Sequence, residues 1–98
     1  MNSYLVHCKY GKSNLILTNF QIMIENFNGL VLSLEYSEIS DLQLVDLKLA
    51  RISWMEGESL YHLSIKSNMA SKIIHDYVIA KQIYEEKYAS VQEYKEYV

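Results

Sequence analysis

Tyr61-His62-Leu63-Ser64-Ile65-Lys66-Ser67-Asn68-Met69-Ala70-Ser71-Lys72-Ile73-Ile74-His75-Asp76-Tyr77 contains a change of period. Up to Ile65 the apolar residues fall at every second position, the repeat of a half-buried strand. From Asn68 onward, Met69, Ile73, Tyr77, Ala80, Tyr84, Tyr88 and Val91 recur at spacings of three and four, which places them on one face of a helix. Ser67 or Asn68 is suited to cap it by accepting a hydrogen bond from an otherwise orphaned backbone N–H. No glycine or proline follows Gly57, so nothing obliges this helix to stop, and it is expected to span about residues 68–97.

Upstream of that switch the chain reads as strands and turns, expected to occupy about residues 3–66. Tyr4, Val6, Cys8 and Tyr10 alternate with polar or outward positions, and Gly11-Lys12-Ser13 turns the chain. Leu15 and Leu17 resume the alternation, Thr18-Asn19 interrupts it, and Phe20, Ile22 and Ile24 are expected on one face. Asn26-Phe27-Asn28-Gly29 is a second turn, followed by Leu30, Leu32, Leu34 and Tyr36 at period two. After a corner at Ser37-Glu38 come Ile39, Leu42 and Leu44, then Leu47, Leu49, Ile52 and Trp54, with a phase slip at Ala50-Arg51 that suggests a bulge. Glu56-Gly57-Glu58-Ser59 reads as a hairpin loop, setting Trp54 near Tyr61 across two strands. About seven antiparallel strands followed by one long helix is the expectation, in a single domain over residues 1–98.

The composition restricts the function. The chain has 98 residues, 9 basic and 12 acidic, for a formal charge of −3, with the two signs interspersed. That disfavours nucleic-acid binding, which requires clustered cations. Stacking platforms for single strands also come with a basic groove. The longest apolar runs are three or four residues, far below the ~20 that span a bilayer. With one cysteine and no secretory pattern at Met1-Asn2-Ser3-Tyr4, the expected location is cytoplasmic.

The order of elements separates small barrels from one another, because they differ in where their helix lies. A helix after all the strands fits a barrel of two near-orthogonal sheets whose open corner it caps. Gly11-Lys12-Ser13-Asn14-Leu15-Ile16-Leu17-Thr18-Asn19-Phe20-Gln21-Ile22-Met23-Ile24 resembles the opening of GRAM-type and bacterial pleckstrin-homology-like domains, most closely at Leu17-Thr18-Asn19. Leu34-Glu35-Tyr36-Ser37-Glu38-Ile39 is similar to their corner, with Tyr36 where those families often have proline. The resemblance covers about residues 4–84. It implies a non-enzymatic module that binds proteins or lipids. Lipid-binding members gather basic residues around the first hairpin, where this chain offers Lys9 and Lys12.

Chemical motifs are sparse. A zinc site needs three or four converging ligands, but His7 and Cys8 are neighbours on a strand and point to opposite faces, and His62 and His75 are the only other imidazoles. Cys8 shares a face with Val6 and Tyr4 and is expected to be a buried, inert thiol. Glu56 with Glu58, and Glu85 with Glu86, read as solvated charge and not as an acid–base pair. No catalytic residue, metal or cofactor is expected.

The tyrosines carry the functional expectation. Five of nine fall in the helix, and Tyr77 and Tyr84 are suited to fill the mouth of a barrel. Tyr88, Val91, Tyr94 and Tyr97 lie beyond the reach of such a cap and are expected either to dock on a protein partner or a second copy of the chain, since tyrosine gives large contact area at low entropy cost, or to fold back over their own sheet or fray. Trp54 and Tyr61 form a second patch if they face outward, although a cross-strand core pair is the plainer reading. The alternative function is a membrane-surface or lipid-headgroup module that uses Lys9 and Lys12.

Overall fold

Two-residue turns dictate the strand order. Gly11 (φ +86°) and Gly29 (φ +115°) occupy backbone conformations that a side chain disfavours, and each starts the return strand of a hairpin. The Leu47-Lys48 turn lacks glycine. There the Asp46 carboxylate accepts from the Leu47 N–H at 2.7 Å and holds the chain in its turn.

The computed structural model describes the backbone of residues 2–96 and the side chains of residues 2–88. Its elements are β1 (Asn2–Cys8), β2 (Gly11–Leu17), β3 (Gln21–Asn26), β4 (Gly29–Glu35), a 3₁₀ turn (Tyr36–Glu38), β5 (Ile39–Asp46), β6 (Leu49–Glu56), β7 (Ser59–Lys66) and α1 (Ala70–Glu96). All seven strands belong to one antiparallel sheet, in the order β4-β3-β2-β1-β7-β6-β5. The sequence reading expected two sheets; the pairing gives one, open at β4 and β5. Its thinnest joint is between β1 and β7, which pair only at His7 and Lys66.

The inward face of the sheet and one face of α1 enclose the core. Val6, Leu15, Ile22, Ile24, Ile52 and Ile65 are fully buried from five different strands. On α1, Ala70, Ile73 and Tyr77 are buried and Ala80 and Tyr84 half-buried, so the helix packs on the sheet through its first four turns. It touches β2, β5 and β6. The Ser67 hydroxyl sets the helix start by accepting from the Met69 N–H and donating to the Leu5 carbonyl, both at 3.0 Å.

Several side chains depart from the simple alternation. A register shift between Ile24 and Glu25 makes Val31 the extra residue of β4, which turns Leu30 outward while Leu32 and Leu34 stay on the core side. The single bulge expected at Ala50-Arg51 is absent; two register shifts lie instead in β5, at Ile39/Asp41 and Leu44/Asp46, so that Ile39 and Leu42 are both buried despite their odd spacing. β6 runs without a slip against β7, burying Ala50, Ile52 and Trp54, while Leu47 is in the turn and exposed. Phe20 precedes β3 and is half-exposed instead of joining Ile22 and Ile24. Met69 lies outside the buried stripe, which Ala70 begins. Cys8 is only half-buried, because it ends β1 where the hairpin leaves the core, and its Sγ lies 3.9 Å from both the Gly11 carbonyl and the Ser13 hydroxyl.

Candidate functional site

The turn between β2 and β3 is built by one side chain. The Thr18 hydroxyl accepts from the backbone N–H groups of Phe20 and Gln21 and donates to the Gln21 carbonyl. This local bonding competes with strand pairing and ends β2. The corner after β4 then clamps the turn: the Tyr36 N–H donates to the Phe20 carbonyl at 2.9 Å, and the Tyr36 hydroxyl donates to the Thr18 carbonyl. Tied at both ends, the turn projects Phe20 outward.

Tyr36 connects this turn to the helix. Its ring, 1% exposed, meets Tyr77 and Tyr84 edge-on at centroid distances of 5.8 and 5.7 Å. Tyr84 in turn stacks on Tyr88 at 5.9 Å, so an aromatic series runs from the core out to an exposed Tyr88. Burial pushes the hydroxyls of Tyr36 and Tyr77 up to about 12, and Glu85 adds to the effect on Tyr77. The two hydroxyls differ in their surroundings. That of Tyr36 has the Thr18 carbonyl, whereas that of Tyr77 is buried with no hydrogen-bond partner among the described residues.

A groove of about 360 Å³ lies between this turn and α1. Leu17 and Phe20 line it from the sheet, and Ile79, Ile83 and Tyr84 from the helix. Phe20, Ile79 and Ile83 remain 45–51% exposed, an apolar strip that neither the sheet nor the helix covers. Asp76 stands at one end, where it accepts from the Tyr4 hydroxyl and pairs with Lys72 at 3.1 Å. Its carboxyl is held below the usual carboxylate range by the Tyr4 hydrogen bond and by Lys72. Lys87 lines the groove as well.

Of the expected contact residues, Tyr88 is half-exposed and does not line this groove; it stacks on Tyr84, which does. Val91 and Tyr94 continue α1, but their side chains lie outside the described residues, as does Tyr97 entirely. Trp54 and Tyr61 do not form an outward patch. Trp54 is buried, its ring stacked 6.0 Å under a half-exposed Tyr61, and its indole N–H donates to Glu56, so Tyr61 is the lid of a core residue. Lys9 and Lys12 are exposed but separate in role: the Lys9 ammonium lies 5.1 Å over the Tyr10 ring, while Lys12 stands directly opposite His7. Among the described residues no three metal-ligating side chains converge. His62 is engaged by the Ser53 hydroxyl at 2.7 Å.

Phe20, Ile79 and Ile83 were not anticipated from the sequence. Ile79 and Ile83 are spaced by four, a legible signal, but they fall outside the Met69-Ile73-Tyr77 stripe on which the helix was read. Among the described residues, no helix is long and apolar enough to cross a membrane. No family model matches the chain, and no curated protein shows significant similarity to it.

Proposed function

We propose that this chain is a small non-enzymatic protein-interaction module, with a pleckstrin-homology-like barrel closed by α1, and that it binds a protein partner or a second copy through the Ile79–Tyr88 side of α1 and Phe20. One observation carries the reading: an apolar groove, walled by the helix and by a turn pinned at both ends, is left uncovered by the other described residues. A fixed turn and a helix anchored on a core make a surface that loses little entropy on binding. Covering the exposed halves of Phe20, Ile79 and Ile83 would contribute on the order of 3 kcal/mol.

Support for the barrel comes from α1 touching β2, near one end of the strand order, as well as β5, its far edge. A flat sheet would separate those strands by about 20 Å at the ordinary ~4.8 Å spacing. A curled sheet would bring both under one helix.

Substitution Ile83→Asp, compared with truncation after Glu86, tests the interaction reading. Light scattering over a range of concentrations reads self-association, and affinity capture from the source cell reads a foreign partner. The wild type is expected to gain mass or retain a partner that Ile83→Asp loses at unchanged melting temperature. A folded Ile83→Asp protein with the same mass and the same captured set as wild type would overturn the proposal.

A further inference from the structure

The groove side of α1 carries opposite charges at its two ends. Asp76, Ala80, Ile83 and Lys87 follow at spacings of four, three and four, so they share one helix face, and all four line the groove beside Phe20. At ~1.5 Å per residue the carboxylate and the ammonium stand about 16 Å apart along the axis. Their midpoint falls between Lys81 and Gln82. It is also the midpoint of Ala80 and Ile83, and of Ile79 and Tyr84, the groove residues between the charges.

A stripe centred in this way is complementary to itself. Half a turn about an axis through the midpoint, perpendicular to the helix, sets Asp76 level with Lys87 of a second copy, Ile79 level with its Tyr84, and Ala80 level with its Ile83. Every such contact occurs twice, as in any isologous pair. The small Ala80, half-buried against the core, stands near the centre, where two helices crossing the groove come closest. A parallel pair would instead bring Asp76 against Asp76 and Lys87 against Lys87, and facing charges of one sign oppose that orientation.

Each charge can still take a partner. Lys87 is exposed and forms no ion pair among the described residues. Asp76 receives the Tyr4 hydroxyl and the Lys72 ammonium on the same oxygen, Oδ2, which leaves Oδ1 to accept another donor. A segment of uniform charge would be attracted to one end of the groove and repelled at the other. A second copy of the helix, reversed in direction, suits both ends, and Phe20 flanks it from the pinned turn.

We propose that the chain forms a two-fold symmetric dimer whose α1 helices lie antiparallel across this groove, with Asp76 of each protomer paired to Lys87 of the other. This rests on the interaction reading above and commits it to one partner. One helix face and one turn from each protomer make a small contact, of the class that associates reversibly.

Sedimentation equilibrium of the intact chain, from micromolar to millimolar concentration, tests the dimer. The wild type is expected to pass from monomer to dimer over that range, and Ile83→Asp to stay monomeric. Lys87→Glu sets two acids against each other at both ends of the contact and should weaken association about tenfold or more at unchanged melting temperature. Asp76→Lys should do the same with two bases. An equimolar mixture of these two variants regains opposite charges at both ends and should associate as the wild type does, a recovery that misfolding of either variant would prevent. Should Asp76→Lys fail to fold, Lys87→Glu, which lies outside the packed core, decides alone. A wild type that stays monomeric at millimolar concentration would overturn the dimer, while loss of a captured foreign partner in Ile83→Asp would still uphold the interaction reading. A dimer indifferent to Ile83→Asp, or to Lys87→Glu, would overturn the proposal as well, since its contact would then lie elsewhere or run the other way.

Discussion

The two halves of α1 carry similar residues and do different things with them. From Ala70 to Tyr84 a side chain every three or four positions enters the core, and Tyr77 is fastened between Tyr36 and the sheet. From Glu85 to Tyr88 every described side chain is exposed, and Tyr88 stacks on the Tyr84 ring. The amino acids do not account for this, since tyrosine serves in both halves. What changes is whether the sheet continues underneath. A helix is a straight rod of ~1.5 Å per residue, and this one outruns the surface it closes. The first half is therefore a structural element, and the described start of the second is exposed.

The largest effect should come from the packed half. Ile73→Ala removes a fully buried side chain and is expected to destabilise by about 3 kcal/mol in a urea titration; a loss below about 1 kcal/mol would mean the helix does not close the core. Next, the hydroxyls of Tyr4, Tyr36 and Tyr77 titrate near 12 in the folded chain instead of 10. The folded state thus holds these protons more tightly, so their contribution is complete below pH 10 and is lost as pH rises through 12. Unfolding followed by circular dichroism should show level stability up to about pH 10 and a decline across that window.

The two core tyrosines sharpen the comparison further. Tyr36→Phe leaves the Thr18 carbonyl without its donor and should cost about 1 kcal/mol. Tyr77→Phe removes a hydroxyl that has no partner among the described residues and should be neutral or slightly stabilising. Equal losses at both would contradict this difference in bonding. Tyr88→Ala, in the exposed half, should change the melting free energy of the isolated chain by no more than about 0.5 kcal/mol, and a larger loss would show that the second half is part of the core.

Strand alternation was legible wherever the ladder is regular. Tyr4, Val6, Leu15 and Leu17 sit where period two puts them, and the helix start was readable to within one residue, Ser67 or Asn68, of which Ser67 makes the capping bond. Leu30 and the phase of β5 were not, because a bulge shifts every later side chain by one position and depends on the partner strand. The candidate site was less accessible still. The groove needs Phe20 beside Ile79 and Ile83, and the exposure of Phe20 follows from hydrogen bonds made by Tyr36. It joins residues far apart in the chain, which single-sequence periodicity does not pair.

The narrow β1–β7 joint bears on the order of folding. Every other strand pair links consecutive strands, so hairpins close over short loops at little entropic expense. His7 and Lys66, about sixty residues apart, meet only after both hairpin groups exist. Zipping that joint and docking the helix should therefore be late events, and substitutions there should accelerate unfolding more than they slow refolding.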